Sequence, residues 1–309
     1  MTKAFMFRLF SALFLLMVSQ SCFLFQGGGV VIPPVVEEDP LPEFLSTPSS
    51  YPIKPGNINE ASGMVVSHSI LGNLWVIEDG GNTSSVHLLS NIGEYRGRID
   101  LPIINRDWED LAFGPGPIDG QNYLYIAETG DNANVYGGYS IHRLKEPTSL
   151  ADKDLGLETI YFKYSDRSSI DVEAMFVDPK TKDIYLISKQ QFFSVRLYKI
   201  SYPYDVKIEN TANFIGTLPH STITAADISS DGTQLMIKDY NAVFYWRLKE
   251  FETIFEALSR TRDVGAPYYV EPQGESLCFD AKDSGYYTLS EIYNASEVNL
   301  NYYQRKVNE

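Results

Sequence analysis

Glu173-Ala174-Met175-Phe176-Val177-Asp178-Pro179-Lys180-Thr181-Lys182-Asp183-Ile184-Tyr185-Leu186-Ile187-Ser188-Lys189 is the stretch that decides the fold. An acid introduces a short apolar run, a turn rich in Asp, Pro and Lys follows, and a second apolar run ends on a charge. Short runs bounded by turn residues in this way predict a β-hairpin. The pattern recurs on both sides. First strands are predicted at residues 63–66, 110–113, 174–177, 226–229 and 276–279, with partners at 74–78, 123–128, 184–189, 234–239 and 286–291. A third strand follows each pair, at 86–90, 140–144, 196–200, 243–248 and 302–306, and fourth strands are predicted at 96–101, 158–164, 212–218 and 268–271. The fifth cycle runs out of chain before its fourth strand, and residues 51–54, just ahead of the first cycle, supply it.

A period of roughly 40–50 residues is the signature of a propeller. Sharing one blade between the two termini closes such a ring without a free edge. The expectation is therefore all-β: a β-propeller of four-stranded antiparallel blades, closed by the N-terminal strand. Five blades is the count, with six as the alternative, because the spacing is uneven and residues 249–260 read as a helix inserted before a fourth strand. A β-sandwich of similar strand number has no reason for a fifty-residue repeat.

Composition agrees and excludes several classes. The chain has 309 residues and carries 25 Lys+Arg against 40 Asp+Glu, a formal charge of −15. That sign excludes nucleic acid as a partner, since phosphate binding needs a basic surface. With 44% hydrophobic residues it is not a disordered chain. Two cysteines support neither a disulfide framework nor a four-cysteine zinc site. The 21 Tyr and 17 Phe favour strands. A monomer is expected.

The first segment reads as an address. Lys3 and Arg8 precede an apolar run over residues 9–18, and Ser19-Gln20-Ser21-Cys22 follows, which predicts a signal peptide over residues 1–21. Small residues at Ser19 and Ser21 suit ordinary signal peptidase, whereas Cys22 after Ser21 is similar to a bacterial lipoprotein lipobox. In the second case Cys22 is the lipidation site, and the membrane is a partner through an N-terminal lipid anchor. Either way the expected location is the bacterial cell envelope, lipid-anchored or secreted. Removing the two bases of the signal takes the charge from −15 to −17. Residues 22–50, rich in Gly and Pro, are expected to form a tether, and residues 51–309 the propeller domain. Cys278, in the apolar run 276–279, reads as a small buried hydrophobe.

Strand order places the charges. In four-stranded antiparallel blades the segments leading into first strands share one rim with the loops after second strands. The lead-in segments carry Glu60, Asp107, Glu109, Asp110, Asp171, Glu173, Asp227, Glu271 and Glu275. The second-strand ends carry Glu78, Asp79, Glu128, Asp131, Asp239 and Glu291, with Lys189 and Lys238 in the third and fourth cycles. Carboxylates crowded at a channel mouth suit a hard divalent ion, Ca²⁺ above all, and the candidate metal ligands are Glu60, Asp79, Glu109, Glu128, Asp131, Asn132, Glu173, Glu275 and Glu291. The same crowd suits acid/base work on a polar substrate, with Glu109, Glu173, Glu275 and Lys189 as catalytic candidates. Loop acids in an acidic protein are also often solvated, or cap backbone amides.

Gly80-Gly81-Asn82 and Thr129-Gly130-Asp131-Asn132-Ala133-Asn134 are the sharpest local features, since each can aim carbonyls inward after an acidic strand end. Trp108 and Tyr136 either stack on a sugar or pack in the core. No nucleophile elbow, phosphate loop or His-Glu-x-x-His motif is present. Three activities remain open: binding of a divalent cation or small polar ligand, metal-assisted hydrolysis of a lactone, phosphoester or glycoside, and a non-catalytic platform for a protein partner.

Glu60-Ala61-Ser62-Gly63-Met64, Asp107-Trp108-Glu109-Asp110-Leu111-Ala112, Glu128-Thr129-Gly130-Asp131-Asn132, Glu173-Ala174-Met175 and Gln273-Gly274-Glu275-Ser276 resemble the strand motifs of uncharacterised bacterial secreted propellers. More remotely the chain is similar to gluconolactonase-like and phytase/esterase-like propellers. That resemblance implies a metal held by acids and amides at the channel mouth. It also marks departures. Ala226 is expected where Glu173 and Glu275 stand in their cycles, and Lys189 and Lys238 replace acids at strand ends.

Overall fold

The computed structural model describes residues 39–190 and 193–307. The signal segment, Cys22 and most of the expected tether lie outside the described residues. Among the described residues twenty strands form an all-β, propeller-like fold. The chain opens with β1 (Ser49–Ile53). A first antiparallel set follows, β2 (Ala61–Val66), β3 (Asn73–Glu78), β4 (Ser85–Ser90) and β5 (Tyr95–Asp100). The next comprises β6 (Trp108–Pro115), β7 (Asn122–Glu128), β8 (Tyr139–Lys145) and β9 (Glu158–Tyr164). Then come β10 (Val172–Val177), β11 (Ile184–Ser188), β12 (Val195–Ile200) and β13 (Asn210–Leu218). These two sets share one eight-stranded sheet, because residues 210–212 of β13 pair in parallel with residues 162–164 of β9. The fourth set is β14 (Ile223–Ile228), β15 (Gln234–Asp239), β16 (Val243–Arg247) and β17 (Val264–Ala266). The last is β18 (Gln273–Phe279), β19 (Gly285–Glu291) and β20 (Val298–Gln304), with β1 as its fourth strand. β1 pairs antiparallel with β20, from Ser49 opposite Tyr302 to Ile53 opposite Val298.

The first strands pack in a circuit: β2 against β6, β6 against β10, β10 against β14, β14 against β18, and β18 against β2. Strand alternation sends one row of side chains toward the preceding set and the other toward the following one. Five apolar clusters result, one at each junction, built around Val65 and Leu111, Ala112 and Met175, Phe176 and Ala226, Ala225 and Leu277, and Met64 with Cys278. Cys278 is thus a buried apolar side chain with a free thiol, as its sequence context predicts. Two carboxyls span junctions. Asp110 accepts from Leu111 N and, across the junction, from Met175 N at 2.7 Å. Asp227 does the same for Ile228 N and Phe279 N at 2.8 Å. An inner strand has no ladder partner on its free edge, so these carboxyls satisfy amides that would otherwise go unpaired.

Two elements depart from the sequence reading. The fourth strand of the fourth set is β17 at Val264–Ala266, not residues 268–271. Pro267 and Pro272 bracket the predicted run, and proline cannot donate to a ladder. Tyr268 and Glu271 turn inward instead, where the Tyr268 hydroxyl donates to Glu271 at 3.0 Å. The inserted helix is short, α1 (Ile254–Ser259), opened by a capping box between Thr253 and Glu256. Ahead of the helix residues 249–253 form a turn, in which Lys249 N donates to Glu252 at 3.0 Å.

Candidate functional site

The first strands begin earlier than the apolar pattern alone predicts, and each carries a bulge near its start. Register slips between Ala61 and Gly63, Trp108 and Asp110, Val172 and Ala174, Ile223 and Ala225, and Gly274 and Ser276. The residues passed over are Ser62, Glu109, Glu173, Thr224 and Glu275. A bulge re-aims one side chain out of the ladder. All five are buried. In the fourth set the equivalent position is therefore Thr224, not Ala226, and the sequence alignment of that cycle slips by two residues.

Around this level the carboxylates collect. Oxygen atoms of Asp79, Asp107 and Glu109 lie within 4.8 Å of one another, and so do those of Glu109, Asp171 and Glu173. Glu109 belongs to both groups. Its side chain is 5% exposed, and among the described residues no donor reaches its carboxylate. Desolvation first, then the charges of Glu173 and Asp79, hold the Glu109 carboxyl well above its usual value. Burial raises Asp107 and takes Asp79 to about 6, with neighbouring carboxylates adding to both. The loop glycines flagged in the sequence make room here. A Cβ on Gly130 would run into Glu109 Oε1 and the Asp107 carboxylate, and one on Gly80 would fall 2.5 Å from Asp107 Oδ1.

On the other side of Glu173 the chemistry changes. Lys189 Nζ pairs with Glu173 Oε1 and lies 3.8 Å from Glu275 Oε1. Burial opposes charge on Lys189, but the Glu173 carboxylate more than offsets this and holds the ammonium above its usual value. The Tyr240 hydroxyl donates to Glu275 at 2.7 Å. Desolvation and the Glu275 carboxylate raise Glu291 to about 9. Glu173 Oε2 and Glu291 Oε1 are buried with no hydrogen-bond partner.

Other sequence candidates are committed elsewhere. Glu128 accepts from Arg106 N, Asp107 N and the Trp108 indole, so it fastens the segment leading into β6. Asp131 holds its own loop through Val135 N, Tyr136 N and the Tyr139 hydroxyl. Glu60 is exposed and accepts from Asn82 at 2.5 Å; Asn132 is exposed. Lys238 is fully buried, donates to Gly274 O, and burial lowers it to about 8. Trp108 is a core residue, whereas Tyr136 is exposed and carries Arg106 over its ring at 4.1 Å. The sequence places Asp107 and Asp171 on the rim but not among its ligands, and it does not single out Tyr240. The available signal was the repeated Asp-x-Glu of Asp107-Trp108-Glu109 and Asp171-Val172-Glu173.

A cavity of about 320 Å³ lies at the opposite end of the first strands, lined by Val66, Phe113, Val177, Ile228 and Phe279 with His68 at its rim. None of the clustered carboxylates lines it.

No family model matches the chain, and no curated protein matches it. Among solved structures it is similar to hydrazine synthase of Kuenenia stuttgartiensis, at 12% identity and a TM-score of 0.44, covering 81% of this chain and 72% of that one. It is also similar to a luciferin-regenerating enzyme, at 13% identity and a TM-score of 0.45, covering 84% and 95%. A protein of unknown function from Desulfotomaculum acetoxidans shares 14% identity at a TM-score of 0.40, covering 75% and 66%. Likeness at this level carries no inference about chemistry.

Proposed function

We propose that this chain is a five-bladed propeller, closed by β1 joining the last blade, whose acidic mouth holds one hard divalent cation, Ca²⁺ in the first instance. One observation carries the reading: Glu109, buried and without a hydrogen-bond donor among the described residues, sits where two carboxylate triads meet. A buried carboxylate without a partner is costly, and four more carboxylates beside it make the cost larger. A cation with oxygen ligands relieves both. Asp79, Asp107 and Glu109, whose oxygens lie within 4.8 Å of one another, are the ligands, and every donor atom is a hard oxygen, which suits Ca²⁺ over softer metals.

The hydrolase reading in its two-carboxylate glycosidase form is less well supported. Glu109 and Glu173 approach within 4.8 Å, the spacing of groups sharing an ion. Carboxyls flanking a scissile glycoside stand roughly 5–10 Å apart. The protein platform is also less well supported, because the mouth is lined by carboxylates where a docked protein would need an apolar cover. With Cys22 acylated, the ion site would stand off a bacterial envelope membrane on the tether of residues 22–50.

Thermal unfolding of the chelator-washed protein with added Ca²⁺, Mg²⁺ or chelator tests the central reading. Ca²⁺ at about a hundred times its dissociation constant should stabilise by about 2.7 kcal/mol. No shift with either ion sinks it.

A further inference from the structure

The mouth has two halves of similar carboxylate content and opposite compensation. On the side of Asp79, Asp107, Glu109 and Asp171 no ammonium or guanidinium of the described residues pairs with the clustered oxygens. On the side of Glu173, Glu275 and Glu291 the Lys189 Nζ stands between carboxylates of two different sheets, paired with Glu173 and 3.8 Å from Glu275, while the buried Lys238 ammonium is turned to Gly274 O. Lys189 reaches that point because it lies one residue past β11. The residues at the same place after the other second strands are Asp79, Thr129, Tyr240 and Ile292. None of those is cationic. The ammonium is a compact point charge with three donors, close in size and sign to a small bound cation.

We propose that Lys189 is a built-in cation: its ammonium fills the Glu173–Glu275–Glu291 half of the mouth and restricts the propeller to a single divalent ion in the other half. This rests on the ion-binding reading above and adds what sets the number of ions. Three features support it. Glu173 Oε2 and Glu291 Oε1 are buried and unpartnered, so the half retains free ligand atoms even with Lys189 in place. The Tyr240 hydroxyl, donating to Glu275, already orients that carboxylate toward the ammonium. And the Lys189 side chain is 25% exposed, so a cation that replaced it would have a path from solvent. Removing the ammonium leaves Glu173 and Glu275 facing a vacated position, with Glu291 beside Glu275, and carboxylate oxygens of this kind suit a second Ca²⁺.

Bound calcium is counted by equilibrium dialysis and atomic absorption on the full chain after chelator washing. The unaltered protein should hold one ion per chain, Lys189→Met two, and Lys189→Arg one, since arginine restores the charge. Adding Glu275→Gln to Lys189→Met should return the count to one. Lys189→Gln is the second charge-free variant, held to the same count should the methionine chain not fold. One ion in both the unaltered and the charge-free chains overturns the built-in cation while leaving the first site standing. No ion in the unaltered chain but one in Lys189→Met overturns the first site and supports the role of Lys189. No ion in either overturns both.

Discussion

Glu109 concentrates the account in one side chain. A carboxylate without donors, ringed by other carboxylates, destabilises the ion-free fold and prepares a ligand for a cation, and both effects disappear in the amide. Glu109→Gln is therefore expected to melt higher than the unaltered protein in chelator, yet to bind Ca²⁺ at least about tenfold more weakly, as losses at metal sites typically run. Melting temperature and calcium titration on the same two samples check this. A variant that melts lower in chelator and binds as before would contradict it. Gly130 makes a second residue-scale point. Its backbone passes so close to Glu109 and Asp107 that Gly130→Ala must push a carboxylate or the loop aside. Overpacking of this kind costs about 1–3 kcal/mol, readable by urea denaturation, and should weaken calcium binding as well.

At the scale of the element, the repeated bulge does what no ordinary strand could. Period-two alternation points side chains at the neighbouring sheets, and only the extra residue frees one for the mouth. This explains what was legible. The strands could be read because apolar runs and hairpin turns such as Asp178-Pro179-Lys180 are local signals, and nineteen of twenty predicted strands overlap observed ones. The bulges could not, since a bulge changes register without changing composition. In the fourth cycle that concealed Thr224 behind the more familiar Ala225-Ala226. Likewise, the acids of the rim could be gathered from strand order, but not sorted. Glu128 and Asp131 look like Asp107 and Asp171 in sequence, and only the fold shows the first two each taking three loop donors, where Asp171 takes one amide, Asp131 N at 2.8 Å. The junction carboxyls make a prediction at this scale. Asp110→Ala strands the Met175 amide and should cost about 1–3 kcal/mol, whereas Asp110→Asn keeps an acceptor and should cost less. Equal losses would show that the acceptor is not what matters.

For the whole molecule, charge and closure are the governing quantities. Asp79, raised from 3.8 to about 6, and Glu291, raised from 4.5 to about 9, both keep protons in the fold that they release when unfolded. A folded state that binds more protons loses stability as pH rises. Ion-free protein should therefore unfold more easily at about pH 8 than at about pH 5, and saturating Ca²⁺ should narrow the gap because it binds the deprotonated form. Scans at both pH values, with chelator and with Ca²⁺, measure it; an ion-free stability that rises with pH would contradict it. Closure has its own test. Deleting residues 1–54 removes β1 and exposes the edge of β20, so the shortened chain should melt lower and self-associate in size-exclusion chromatography.

The most direct measurement is calorimetric titration of Ca²⁺ into the chelator-washed chain and into Glu109→Gln. The first should hold one ion per chain, and the second should bind at least about tenfold more weakly. No binding to the first, or undiminished binding to the second, would contradict the cation site at Glu109.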